Sequence, residues 1–163
     1  MTKKRVAVVL LSISASAFVM RMEKEGYTDR PIIPVEGDRL TIGFGTANGV
    51  KPTDRTNPVA ALQRALKDTQ SFEMNLRKCV TAPLYQEEYD LYVKLMYNIG
   101  STGFCTSTIV KRLNSYNYAG ACDAILMWKY SGGYDCSTPG NKRCYGLWKD
   151  RLETHKLCLS AQQ

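Results

Sequence analysis

Residues 6–20 read VAVVLLSISASAFVM, without a single charge, directly after Thr2-Lys3-Lys4-Arg5. Such a run must leave water, either in lipid or against a protein core, so it constrains everything downstream of it. It is shorter than the roughly 20 residues of a stable membrane span. Ser12, Ser14, Ser16 and the alanines among them also dilute its Val and Leu. A basic flank followed by an apolar stretch is the pattern of an export signal. Ala15-Ser16-Ala17 has the small residues of a cleavage site, which gives one reading, a signal that is removed. The other is an uncleaved, marginal anchor that holds a membrane briefly and then leaves it. We expect the second, with residues 1–20 as the anchor segment and 21–163 as the folded domain.

The cysteines agree with export. Cys79, Cys105, Cys122, Cys136, Cys144 and Cys158 are even in number, and none forms a C-x-x-C pair. In an oxidising compartment they read as disulfides, not as zinc ligands. Cys136 and Cys144 bracket a Pro-Gly turn and are the one pair we expect from spacing. The first 78 residues hold no cysteine, so no thiol travels with the apolar segment.

Beyond residue 20 the pattern becomes mixed. Met20 to Gly26 finishes a helix, with Gly26 as its stop. Ile32-Ile33 and the run Leu40 to Phe44 flank the turn Glu36-Gly37-Asp38 and predict a small hairpin. Asn57-Pro58 opens a helix carrying an apolar stripe of Leu62, Leu66, Thr69, Phe72 and Leu76. Further helices are expected over 86–99, 107–114, 118–128 and 147–157, with a polar loop over 131–145. The chain has no repeats or linkers. It reads as an α+β fold, a small β hairpin feeding a mainly helical body.

Charge narrows the partners. Lys and Arg number 22 against 15 Asp and Glu, a net charge of +7, which suits an anionic surface. Nucleic acid is a poor candidate, because the basic residues form no stripe or known motif. His155 is the only histidine, so a multi-histidine metal site is excluded. We expect no metal and no cofactor.

Three ordered pieces of the chain resemble the bacteriophage lysozymes, glycoside hydrolase family 24. They are Glu25-Gly26 followed by Thr41-Ile42-Gly43-Phe44-Gly45; Tyr97-Asn98-Ile99-Gly100 with Ser107-Thr108 and Leu113-Asn114; and Gly146-Leu147 with Arg151 and Glu153. Placed after a weak apolar segment, the set is similar to the signal-anchor-release endolysins. The resemblance implies a lysozyme-like fold whose hairpin helps to form the active-site cleft. It implies a monomeric muramidase acting on peptidoglycan glycan strands in the host periplasm, first tethered to the inner membrane through residues 6–20 and then released. It also implies Glu25 as the acid and Thr41 as the group that positions water.

Cleaving a glycosidic bond needs a carboxylic acid that stays protonated near neutral pH, and usually a second carboxylate. The family's second acid would fall on Pro34 or Val35, and neither can serve. Asp38, in the turn, is the first substitute, Asp29 the second and Glu36 the third; an enzyme working with Glu25 alone is the remaining option. The alternative function is a catalytically weak, lysozyme-like protein that binds peptidoglycan.

Overall fold

The computed structural model describes residues 3–34 and 39–163. It divides into two compact units, Ile13–Met74 and a second made of Met1–Ser12 with Asn75–Gln163. The boundary falls inside the longest helix, so the sequence shows no linker there.

In the unit Ile13–Met74, helix α1 (Ala15–Glu25) starts where Ser14 accepts a hydrogen bond from the Ala17 N–H. It stops at Gly26, whose φ of +68° is left-handed and open to a residue without Cβ. Strand β1 (Thr28–Ile32) pairs antiparallel with β2 (Thr41–Gly43), Thr28 opposite Gly43 and Ile32 opposite Thr41. More residues lie between the two pairs on β1 than on β2, and Pro31, which has no N–H to donate, sits in the irregular stretch. The expected hairpin is therefore present and starts earlier, at Thr28. Residues 35–38, which include the expected turn, lie outside the described residues.

Helix α2 (Pro58–Cys79) begins where predicted, with Asn57 Oδ1 accepting from the Ala60 N–H at 2.9 Å. Its inward face differs from the expected stripe. Ala61, Ala65, Thr69 and Leu76 are buried, whereas Leu62 and Leu66 keep 40% and 43% of their surface. The reason is a close approach of backbone. A Cβ on Gly43 would meet the Ala61 Cβ at 2.9 Å, so only small residues fit where β2 crosses the helix, and the larger leucines turn outward.

In the other unit, α3 (Gln86–Ile99) and α5 (Thr108–Asn114) lie where the sequence placed them. The short helix α4 (Ser101–Cys105) between them was not foreseen. Helix α6 (Tyr118–Ala124) tightens into a 3-10 turn over Ile125–Met127 instead of continuing to Trp128. The polar loop carries a two-residue hairpin, β3 (Tyr130–Ser131) with β4 (Tyr134–Asp135), before α7 (Tyr145–Ser160). Tyr89, Tyr92, Phe104, Ile109, Leu113 and Ile125 form the core. All six cysteines pair within this unit: Cys79–Cys105, Cys122–Cys158 and the expected Cys136–Cys144.

The charge-free stretch is not one helix. Val6 exchanges two backbone hydrogen bonds of 2.9 Å with Leu84, and Val8–Leu10 form a 3-10 turn. Within residues 6–20 only Val8 and Leu11 are buried; Val9 and Leu10 keep 65% and 77% of their surface. Just ahead of it, Arg5 donates to the carboxylate of Glu88 from Nε and Nη2 at 3.0 and 2.9 Å. Among the described residues no helix is long and apolar enough to cross a membrane.

Candidate active site

Glu25 is the last residue of α1, fixed there because the Gly26 N–H closes the ladder on the Met22 carbonyl at 3.1 Å. Two influences act on its carboxyl. Loss of hydration among the atoms packed around it raises its pKa above the usual carboxylic-acid value, and the positive charges of Arg21 and Lys24 partly oppose that. The residue as a whole is exposed to solvent. A carboxyl at the negative end of a helix is also a poor place for an anion. A proton is therefore held more firmly than on an ordinary surface glutamate, while the group remains reachable.

Three residues past Glu25 the chain enters β1, and β2 beside it carries Thr41. The half-buried Thr41 hydroxyl donates to the Ile32 carbonyl across the ladder at 3.4 Å. That bond is long, and the side chain keeps a lone pair and part of its surface for another partner. Asp29 sits on β1 with its side chain 67% exposed, 3.9 Å from the Arg30 guanidinium. Its backbone carbonyl accepts from the Thr56 N–H at 3.2 Å, which ties β1 to the segment before α2. Asp38 and Glu36 lie outside the described residues. Of the five candidates, then, Glu25, Asp29 and Thr41 are carried by one helix end and the hairpin that follows it.

Other groups, which spacing does not reveal, brace this arrangement. Thr46, just past the T-x-G-x-G run, is buried and donates to Asp68 on α2 at 2.6 Å, pinning the loop after β2. Arg21 is buried, at 7% exposure, and its Nη1 donates to the Thr69 hydroxyl, which in turn donates to the Ala65 carbonyl at 2.7 Å. At the other end of α1 the Ile13 N–H donates to Glu73 at 2.7 Å. Arginine and glutamate on an otherwise amphipathic pair of helices were the available signal. Spacing alone does not say which polar residues face inward.

A model of the family described as phage lysozyme matches residues 22–153, most of the chain. The chain belongs to the phage lysozyme family. Among relatives of this family, it is 31% identical to the endolysin of Salmonella phage P22 over 128 residues, covering 76% of this chain and 87% of that one. It is 35% identical over 88 residues to the SAR-endolysin of Pseudomonas phage phiKMV, 54% of each chain. Its structure is similar to the endolysin from Escherichia coli O157:H7 phage FAHEc1, with a TM-score of 0.74 at 26% identity, covering 91% of this chain and 94% of that one. The lysozyme-like α+β fold is thus established. So, at the level of the family, is a peptidoglycan-lytic role as a lysozyme-type glycoside hydrolase. The matched span begins at Met22, so the Glu25-Gly26 end of α1 and the hairpin fall inside it.

The other unit holds a concavity. A cavity of about 450 Å³ is lined by Gly103, Thr106, Ser107, Thr108, Trp128 and Tyr130 among others. Trp128 packs so tightly on Gly103 that a Cβ there would meet the ring at 2.9 Å. Glu25, Asp29 and Thr41 do not line it.

Proposed function

We propose that this phage lysozyme is an N-acetylmuramidase in which Glu25 is the general acid. The observation that carries the reading is the place of its carboxyl: Glu25 ends α1 just before the hairpin that carries Thr41, open to solvent, and desolvation by the atoms around it raises its pKa. Glu25 donates that proton to the glycosidic oxygen as the bond to the departing sugar breaks. The sugar left behind develops oxocarbenium character and is taken by water or by a carboxylate. Thr41 orients the water. The second carboxylate is Asp38, with Asp29 as its substitute. Asp29 faces solvent beside Arg30. The protein acts as a monomer.

Residues 1–20 serve as a signal-anchor in this reading, and residues 21–163 as the muralytic domain. The chain is exported with its apolar stretch in the inner membrane and works in the host periplasm after release. Support comes from the weak apolarity of residues 6–20 and from relatives named SAR-endolysin, that of phage phiKMV among them. Ser14 also caps α1, so the anchor is best strengthened at Ser12 and Ser16 alone. With both replaced by Leu the protein stays in the membrane fraction and cells do not lyse; prompt lysis with soluble enzyme would reject the anchor.

The muramidase reading is tested by digesting purified peptidoglycan and identifying the new reducing ends. Muramic acid ends support it, and glucosamine ends move the cut to the other bond. The alternative, a weak enzyme that mainly binds the wall, is favoured by Pro34 and Val35 standing where the family carries its second acid. Stoichiometric binding without release of reducing ends would establish that alternative.

A further inference from the structure

Arg21 stands out on the Glu25 helix because stability does not explain it. It lies in the seam between α1 and α2, where Met22, Ala61 and Ala65 already provide apolar packing. Taking a guanidinium out of water is expensive, and a hydrophobic residue of similar volume usually serves a seam as well or better. The chain nevertheless provides for the cation: the Thr69 hydroxyl accepts from it, and Thr69 is oriented for that by donating its own proton to Ala65. Arg21 is also one helical turn before Glu25, on the same face, the spacing at which side chains of a helix meet.

We propose that Arg21 is a positioning residue for Glu25: held by Thr69, it fixes the last turn of α1 against α2 and supplies a stationary positive charge beside the carboxylate that remains when Glu25 gives up its proton. The inference rests on the reading of Glu25 as the acid. In the step concerned, the Glu25 O–H bond breaks and its proton bonds to the glycosidic oxygen, leaving the electron pair on the carboxylate. A fixed cation stabilises that product of the transfer, so it makes Glu25 a stronger acid exactly when the bond is breaking. A mobile surface lysine would have to be ordered first.

The other charged groups nearby are committed elsewhere or act weakly. On α1 itself, Lys24 is exposed and acts on Glu25 less than Arg21 does, and Glu23 is exposed. On α2, Asp68 accepts from Thr46 and the buried Glu73 accepts from the Ile13 N–H at the far end of α1. On β1, Asp29 and Arg30 face solvent as a pair. Arg21 is thus the one buried cation of this set.

The test is the pH dependence of peptidoglycan hydrolysis. Arg21→Gln keeps a hydrogen-bond donor and loses the charge, so Glu25 holds its proton to higher pH. The alkaline limb is expected to move up by about 0.5–1 pH unit. The plateau kcat should fall on the order of 10-fold, because a weaker acid protonates the leaving group more slowly. KM should stay unchanged. Arg21→Lys should keep the wild-type limb, and Lys24→Gln should move it less than Arg21→Gln. A folded Arg21→Gln enzyme with the wild-type limb overturns the proposal, as does a loss of activity confined to KM. If Arg21→Gln does not fold, Thr69→Val decides: it leaves the charge and removes its tether, and a wild-type profile in that variant also overturns the proposal. Glu25→Gln is run beside these variants. If it remains active, the acid assignment fails on its own, whatever Arg21 does.

Discussion

Replacing Arg5 by Met should remove a large share of this protein's stability. Glu88 has no exposed surface, and Arg5 is its charged partner, bound through two nitrogens. Arg5 itself is 21% exposed and lies over two rings, 3.6 Å from the centroid of Tyr118 and 4.3 Å from that of Tyr85. Losing one partner of a buried pair costs about 3–5 kcal/mol, because the other charge is stranded. Two neutral donors soften the loss: the Gln162 amide at 2.6 Å and the Tyr85 N–H at 2.8 Å still reach the Glu88 carboxylate. Forfeited cation–π contacts add about 0.5–1 kcal/mol each. The expected total is therefore about 3–5 kcal/mol, a fall in Tm of roughly 6–20 °C for a chain of this size. Calorimetry of the wild type, Arg5→Met, Glu88→Gln and the double variant reads it directly. The double variant should recover much of the loss, since an amide at position 88 needs no counter-ion. A fall of less than about 2 °C in Arg5→Met, or no recovery in the double variant, would refute the idea of a stranded charge.

Three other perturbations follow from the fold. Gly43→Ala should cost about 1–3 kcal/mol in urea unfolding, because position 43 has φ +66° and its Cβ would strike Ala61; Gly49→Ala, at φ +68° with nothing within 4 Å, should cost less. Opening Cys122–Cys158 by paired Ser substitutions should cost more than opening Cys136–Cys144, about 4 against about 2.5 kcal/mol from the loop entropies of 36 and 8 residues. Asp135 is held down to about 2 by hydrogen bonds from the Lys129 ammonium and from Ser137. Its contribution is complete above the unfolded carboxylate value and fades as pH falls through about 2, so an NMR titration should show its side chain still ionised at pH 3.

Helices α3 and α5 were legible to within a residue because their caps and apolar spacing agree: Ser107 accepts from the Val110 N–H, and Tyr89, Val93 and Met96 are buried as their periodicity requires. Gly26 was legible as a stop, and with it the position of Glu25. The α2 stripe failed because periodicity locates a face without saying which residue sizes the opposing element allows. β2 comes in at Gly43 and admits only alanine, so Leu62 and Leu66 were read inward although they face water. The disulfides Cys79–Cys105 and Cys122–Cys158 join helices distant in sequence, and only the short loop of Cys136–Cys144 betrayed its partner. Arg21, Thr46 and Asp68 escaped for a related reason, whereas Thr69 was placed inward without its partner. A hydroxyl or a charge on an amphipathic helix looks like surface until the neighbouring backbone supplies its partner. The start of the charge-free stretch read as part of an anchor segment, yet Val6 joins Leu84 in a β bridge, a pairing that local pattern does not encode.

The central claim is that Glu25 gives the proton that breaks the glycan. The direct measurement is the rate at which purified peptidoglycan releases reducing ends with wild-type protein and with Glu25→Gln, at matched thermal stability. The amide keeps the shape at the end of α1 and has no proton to transfer. The expected result is a loss on the order of 10²-fold or more, the scale of a general acid removed, with the melting temperature unchanged. A Glu25→Gln protein that folds as the wild type does and retains more than a tenth of its rate would contradict it.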